Sequence, residues 1–225
     1  MECTETMQTR LLCAITITGL LFTAHAVAED RSAFSEDFEH GLDRWEMTDA
    51  KAWAVAEDPA GNHVLALERA SEYAPPFRSP VNIALAKGAE FGSFEMTVRM
   101  KQTGREYGHR DLCLFFGYRD PSHFYYLHLA TKADDHANSI FILNEAARLS
   151  IAETRTTGTV WDDQFHTVKI RRDADSGKIE VFFDDMTKPA MTATDKTFAV
   201  GRIGVGSFDD VGHFDDVHVT ELTKK

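Results

Sequence analysis

An all-β fold, an antiparallel sandwich of two sheets, is what this sequence predicts, on three observations. Apolar and polar residues alternate with period two in segment after segment. Residues that favour tight turns punctuate those segments at short intervals. Phenylalanine is abundant, with 16 in 225 residues, as suits two sheets whose inner faces must fill the space between them.

The chain opens on a different pattern. A basic residue, Arg10, precedes the uncharged apolar run Leu11 to Ala24, and Ala26-Val27-Ala28 follows. A charged start, a short apolar stretch and a small-x-small site predict a secretory signal peptide over 1–28, cleaved after Ala28, with Ala26 as the alternative. The run is shorter than the ~20 apolar residues a membrane span needs. Leu12 before Cys13 does not fit a lipoprotein signal. The expectation is a secreted or periplasmic protein, with residues 29–225 forming one β-sandwich domain.

Strands are predicted at 34–39, 52–57, 63–68 and 78–84, with a short turn near 84–88. In 94–101, Phe94, Met96, Val98 and Met100 take one face, and Glu95, Thr97, Arg99 and Lys101 the other. Strands follow at 110–119, 123–131, 138–143 and 148–154. Residues 139–154 include helix formers, but their β-branched content argues against a helix. Segments 166–171 and 178–184 alternate cleanly around Asp173-Ala174-Asp175-Ser176-Gly177, which predicts a hairpin. Strands at 201–207 and 213–221 close the chain. Trp45 and Trp53 are predicted core residues.

Composition narrows the function. The formal net charge is −12, and no Lys/Arg cluster stands against it, which is a poor match for nucleic acid or an anionic membrane surface. The acidity suits solubility and a divalent cation. Cys3 and Cys13 fall in the predicted signal peptide, so Cys113 is left without an intramolecular disulfide partner. Within Leu112-Cys113-Leu114-Phe115-Phe116 it reads as a small buried hydrophobe. The histidine spacing offers no H-x-x-x-H pair for zinc.

Three stretches resemble the concanavalin A-like lectin/glucanase superfamily, in its laminin-G-like and keto-disaccharide-hydrolase-like branches. They are Asp37-Phe38-Glu39-His40-Gly41-Leu42-Asp43-Arg44-Trp45, the predicted hairpin 165–181, and Gly201-Arg202-Ile203-Gly204-Val205-Gly206 followed by Gly212-His213-Phe214-Asp215-Asp216-Val217. The resemblance spans about residues 34–222 and implies a jelly-roll sandwich with a glycan-related role. The fold hosts lectins, hydrolases, lyases and adhesion modules alike. The E-x-D-x-x-E strand of laminarinase-type glucanases and the Y-K-x-G motif of alginate-lyase-type sandwiches are absent, so no active site carries over whole.

Chemistry-bearing residues concentrate between Tyr107 and Asn144. Alternation points Leu112, Leu114, Phe116, Tyr125, Leu127 and Leu129 inward, and Asp111, Cys113, Phe115, Phe124, Tyr126 and His128 outward. In this fold class that outward surface is usually the concave, ligand-facing one. One reading is an aromatic platform of Phe115, Phe124 and Tyr126 for stacking on a sugar ring, flanked by His109, Arg110, Asp111, His128, Lys132, His136 and Asn138. Arg78 is a further loop candidate. The other reading is strand side chains packed beneath a covering loop. A catalytic version makes Tyr126 and His128 the acid and base of a β-elimination, with Arg110 or Lys132 on the substrate carboxylate. A hydrolase would use Asp111 with Asp134 or Asp135. A second constellation, Asp37, Glu39, Asp215 and Asp216 with Asp209 and Asp210 nearby, suits a structural calcium ion if the terminal strands pair.

The sequence therefore supports a secreted carbohydrate-binding or glycan-associated jelly-roll domain, with a saccharide or polysaccharide as partner. A glycoside hydrolase or polysaccharide lyase on the same face, and a periplasmic interaction module without a sugar site, remain open beside it. The glycan, its linkage and the oligomeric state are not written in the sequence.

Overall fold

The structure is a computed structural model, and it describes Met1 and residues 32–222. The predicted signal peptide lies outside the described residues. The strands in chain order are β1 Ser32–Glu36, β2 Trp45–Met47, β3 Trp53–Glu57, β4 His63–Leu67, β5 Asn82–Phe91, β6 Phe94–Gln102, β7 Asp111–Asp120 and β8 His123–Ala130. There follow β9 Ser139–Asn144, β10 Leu149–Ser150, β11 Ala152–Arg155, β12 His166–Asp173, β13 Lys178–Phe183, β14 Met191–Thr194, β15 Gly201–Ser207 and β16 Gly212–Glu221. A 3-10 turn at Ala50–Ala52 precedes β3. Among the described residues, no helix is long and apolar enough to cross a membrane.

Two antiparallel sheets form the sandwich. The nine-stranded sheet runs β11-β14-β13-β12-β6-β16-β4-β3, with β1 also paired to β16. The seven-stranded sheet runs β10-β9-β8-β7-β15-β5-β2. Between them lies a core that takes every second residue of each strand: Met96, Val98 and Met100 from β6, Leu112, Leu114 and Phe116 from β7, Tyr125, Leu127 and Leu129 from β8. Trp45 and Trp53 are buried in it, and Trp45 packs on Phe34 and Phe38.

The residues that carry the family resemblance have plain structural jobs. Phe38 sits at φ 59° while the Glu36 carboxylate accepts its N–H, which turns the chain so that Phe38 meets Trp45. In β15, a Cβ on Gly206 would lie 1.9 Å from the Asn82 carbonyl oxygen, and one on Gly201 would lie 2.3 Å from the Gly117 backbone. Glycine lets β15 run close between β5 and β7.

Several expected boundaries shift. The strand expected at 78–84 starts only at Asn82, and residues 84–88 are strand rather than turn, since Gly88, at φ 67°, bends β5 without ending it. The segment 148–154 splits at Ile151, with β10 joining one sheet and β11 the other. Strands β2 and β14 were not expected. They are three and four residues long, too short to show a period. The hairpin forms as β12–β13, with Gly177 at φ 81° and its N–H donating to the Asp173 carbonyl.

Candidate functional site

The second face of the seven-stranded sheet positions the site. Cys113 and Phe115 of β7 and Phe124 and Tyr126 of β8 point to it, as alternation predicted. They join Ile83, Leu85, Tyr118, Phe141 and Leu143 in a second buried cluster. Phe77 of the long segment between β4 and β5 packs against that cluster. Phe115, Phe124 and Tyr126 are at most 1% exposed, so the expected aromatic platform offers no ring face to a sugar. These rings stack on one another instead: Tyr126 lies 5.1 Å from Phe141 and 6.2 Å from Phe115. Cys113 is buried and unbridged.

At the edge of this cluster lies a pocket of about 180 Å³ lined by Arg78, Tyr107, His109, Asp111, His128, His136, Arg148, Phe208 and Asp209. A second hollow, lined by Arg78, His136, Ala147 and Arg148, adjoins it through three shared residues. Five segments build the rim: the 68–81 connection with Arg78, the 145–148 turn with Arg148, the 103–110 connection, the 131–138 connection and the 208–211 turn. The last is tied down by Phe208 N–H donating to Asp111 Oδ2 at 2.8 Å and by the Ser207 hydroxyl donating to the Asp210 carbonyl at 2.6 Å.

Asp111 and His128 form the floor. His128 Nδ1 accepts from the Asn138 N–H at 3.2 Å, which leaves the proton of a neutral ring on Nε2, 3.5 Å from Asp111 Oδ2. Burial, with the nearby Arg148 charge, pushes the His128 imidazole down to about 3. Burial also pushes Asp111 well above the carboxylate range, against hydrogen bonds from Phe208 N–H and the Cys113 thiol. Its Oδ1 is buried without a hydrogen-bond partner. Asp210 Oδ2 accepts from the Tyr107 hydroxyl at 2.6 Å and from Asp111 N–H at 2.9 Å. Burial raises Asp210, and burial and then this hydrogen bond raise Tyr107.

Of the residues expected from sequence, Arg78, His109, Asp111, His128 and His136 come together here. His109 Nε2 is held 2.6 Å from Asp134 Oδ2. The others do other work. Arg110 is buried and donates to the Trp161 carbonyl at 2.7 Å. Asn138, at φ 51° and fully buried, binds the Thr156 carbonyl and Thr159 hydroxyl, and serves the site only through its backbone. Lys132 is exposed outside the lining. The Tyr126 hydroxyl is buried without a partner, in a ring cluster that raises it well above its ordinary range. That disfavours the elimination in which Tyr126 and His128 exchange protons with a substrate. Sequence reasoning missed Arg148 and Phe208 and grouped Asp209 with the chain terminus. A lone arginine before a short strand carries no periodic signal.

The expected calcium set does not assemble. The terminal strands β1 and β16 pair, but Glu39 binds His63 at 2.7 Å, and Asp37 accepts the Glu39 N–H. Asp215 and Asp216 share Arg99, at 3.1 and 3.2 Å. Glu39, Asp215 and Asp216 are each paired with a basic side chain, and the four expected carboxylates are not among the groups that converge. The carboxylates that do converge are Asp111, Asp209 and Asp210, with ligand atoms all within 4.8 Å of one another. The unpartnered Asp111 Oδ1 makes this set fit a hard cation better than the expected one.

No family model matches the chain, and no curated protein matches it. Solved structures do match in fold. The exoplasmic/lumenal domain of VIP36, in its Ca²⁺/Man3GlcNAc-bound form, superposes with a TM-score of 0.58 at 14% identity, over 85% of this chain and 89% of that one. The carbohydrate-binding module CBM66 from Bacillus subtilis matches with a TM-score of 0.56 at 15% identity, over 79% and 96%. The fold is a concanavalin A-like jelly roll. A Bacillus subtilis protein with a galectin-like fold matches this jelly roll equally well, with a TM-score of 0.56 at 12% identity over 86% of this chain and 97% of that one.

Proposed function

We propose that this jelly-roll domain binds a saccharide in the pocket between the 103–110, 131–138 and 208–211 loops. One observation carries the reading. The pocket brings the imidazoles of His109 and His136, the Tyr107 hydroxyl and two guanidiniums together over a rigid, fully packed sheet face, beside the Phe208 ring. Saccharides need several hydrogen-bonding groups fixed in space and one apolar wall, and groups tied down before binding lower its ordering cost. The likeness to carbohydrate-binding proteins of this fold supports the reading. Asp111, Asp209 and Asp210 would hold a calcium ion, which would supply coordination to sugar hydroxyls. Secretion through the 1–28 signal peptide is part of the same proposal.

A glycan array read together with thermal shift tests it. Stabilisation by a saccharide that is lost in His136→Ala and Tyr107→Phe is the expected result. No saccharide shifting the protein, with a partner protein recovered instead, would favour an interaction module.

A second reading, glycan cleavage, is favoured by one observation. Asp111 is pushed toward its neutral, acidic form beside Asp209, a pairing that acid and base carboxylates use. It predicts new reducing ends, abolished by Asp111→Asn. Binding without product would retire it.

A further inference from the structure

Resting on that reading of the pocket, we infer that its ligand is an acidic saccharide, a uronic acid whose carboxylate sits on Arg148 and Arg78.

Arg44, Arg69, Arg99, Arg171 and Arg202 each rest on a carboxylate. Arg110 and Arg172 are buried and donate to backbone carbonyls. Among the described residues, Arg78, Arg105, Arg119, Arg148 and Arg155 make no ion pair, and of these Arg78 and Arg148 line the pocket and the adjoining hollow. Both also lie over one ring. The Arg148 guanidinium is 4.3 Å from the Phe208 centroid and the Arg78 guanidinium 5.8 Å from it. Two like charges held at one aromatic ring repel, and an anion between them relieves the repulsion.

Arg148 carries the inference furthest. It donates from Nη2 to the His136 carbonyl at 3.2 Å, while Nε and Nη1 are shielded from water and have no acceptor. Unmet donors on a half-buried cation are costly. A carboxylate supplies two oxygens matched to the guanidinium fork, where a neutral hydroxyl supplies one weaker acceptor. The lining holds two acids, Asp111 and Asp209, beside the two guanidiniums and the imidazoles of His109, His128 and His136. Two arginines without an ion pair thus stand together on a chain whose net charge is −12.

The test is calorimetric titration of the purified protein in EDTA, so that no divalent ion bridges. The ligands are tetrasaccharides of polygalacturonate, alginate and glucuronan, each beside its carboxyl-reduced, neutral form. A uronate should bind roughly 10-fold or more tightly than its reduced form, the scale of one charge-assisted pair. Arg148→Gln and the exposed-site variant Arg78→Gln should each abolish that preference without lowering Tm. Equal binding of reduced and acidic forms would overturn the carboxylate inference and leave the saccharide pocket standing. A preference that survives in Arg78→Gln and Arg148→Gln would also overturn it. Binding of none of these sugars, either in EDTA or with calcium restored, would sink both.

Discussion

His128 Nε2 faces Asp111 Oδ2 across 3.5 Å, and burial drives the two side chains toward neutrality from opposite sides. The consequences for stability oppose each other. Folded His128 titrates at about 3 against an ordinary 6.5, so between those values the folded state binds fewer protons than the unfolded chain. Its contribution is full above pH 6.5 and is lost as pH falls, by up to ~1.4 kcal/mol per pH unit. Asp111 is raised above 3.8, so the folded state binds more protons there, and its contribution is lost as pH rises. Asp111→Asn should therefore steepen the loss of Tm between pH 6.5 and 4, and His128→Gln should flatten it. Thermal melts across that range decide it. Two variants that keep the parent slope would show that the pair does not titrate on unfolding.

The Tyr126 hydroxyl is buried with no partner. Removing an unmet buried donor is neutral to stabilising, by up to about 1–3 kcal/mol. Tyr126→Phe should keep or raise Tm and leave saccharide affinity unchanged. Loss of a product-forming activity in this variant alone would restore Tyr126 to a catalytic role.

Gly206→Ala places a methyl 1.9 Å from the Asn82 oxygen in the middle of the seven-stranded sheet. No side-chain rotation relieves a clash with backbone, so the cost should be about 3 kcal/mol or more. Gly92→Ala is the control. Its nearest contact, the Ala199 carbonyl oxygen at 3.3 Å, needs only a shift of a few tenths of an ångström. Urea melts showing equal midpoints for the two would refute the close approach of β15 to β5.

Calcium at Asp111, Asp209 and Asp210 should stabilise the fold by mass action, by about 2.7 kcal/mol at 100 times its Kd, and so raise Tm. Asp209→Asn combined with Asp210→Asn should cancel the rise, whereas Asp215→Asn should not. Identical melts in EDTA and in millimolar calcium would exclude the ion from this set.

Period two, turn chemistry and glycine placement are local properties, and through them the sequence by itself determined the all-β sandwich, the β12–β13 hairpin and which side of β7 and β8 each residue faces. What lies against a face is decided by chain remote in sequence. Alternation placed Phe115, Phe124 and Tyr126 on the outer side, but only the tertiary structure packed Phe77, Phe141 and Ile83 around them and closed them to solvent. Arg78, Arg148 and Phe208 lie far apart in sequence, and no local pattern aims them at one pocket. The four acids near the termini looked like one cluster because β1 and β16 pair. Arg99 and His63 hold three of them, Asp215, Asp216 and Glu39, since a carboxylate's partner is fixed by three-dimensional proximity and the cost of leaving charge unpaired.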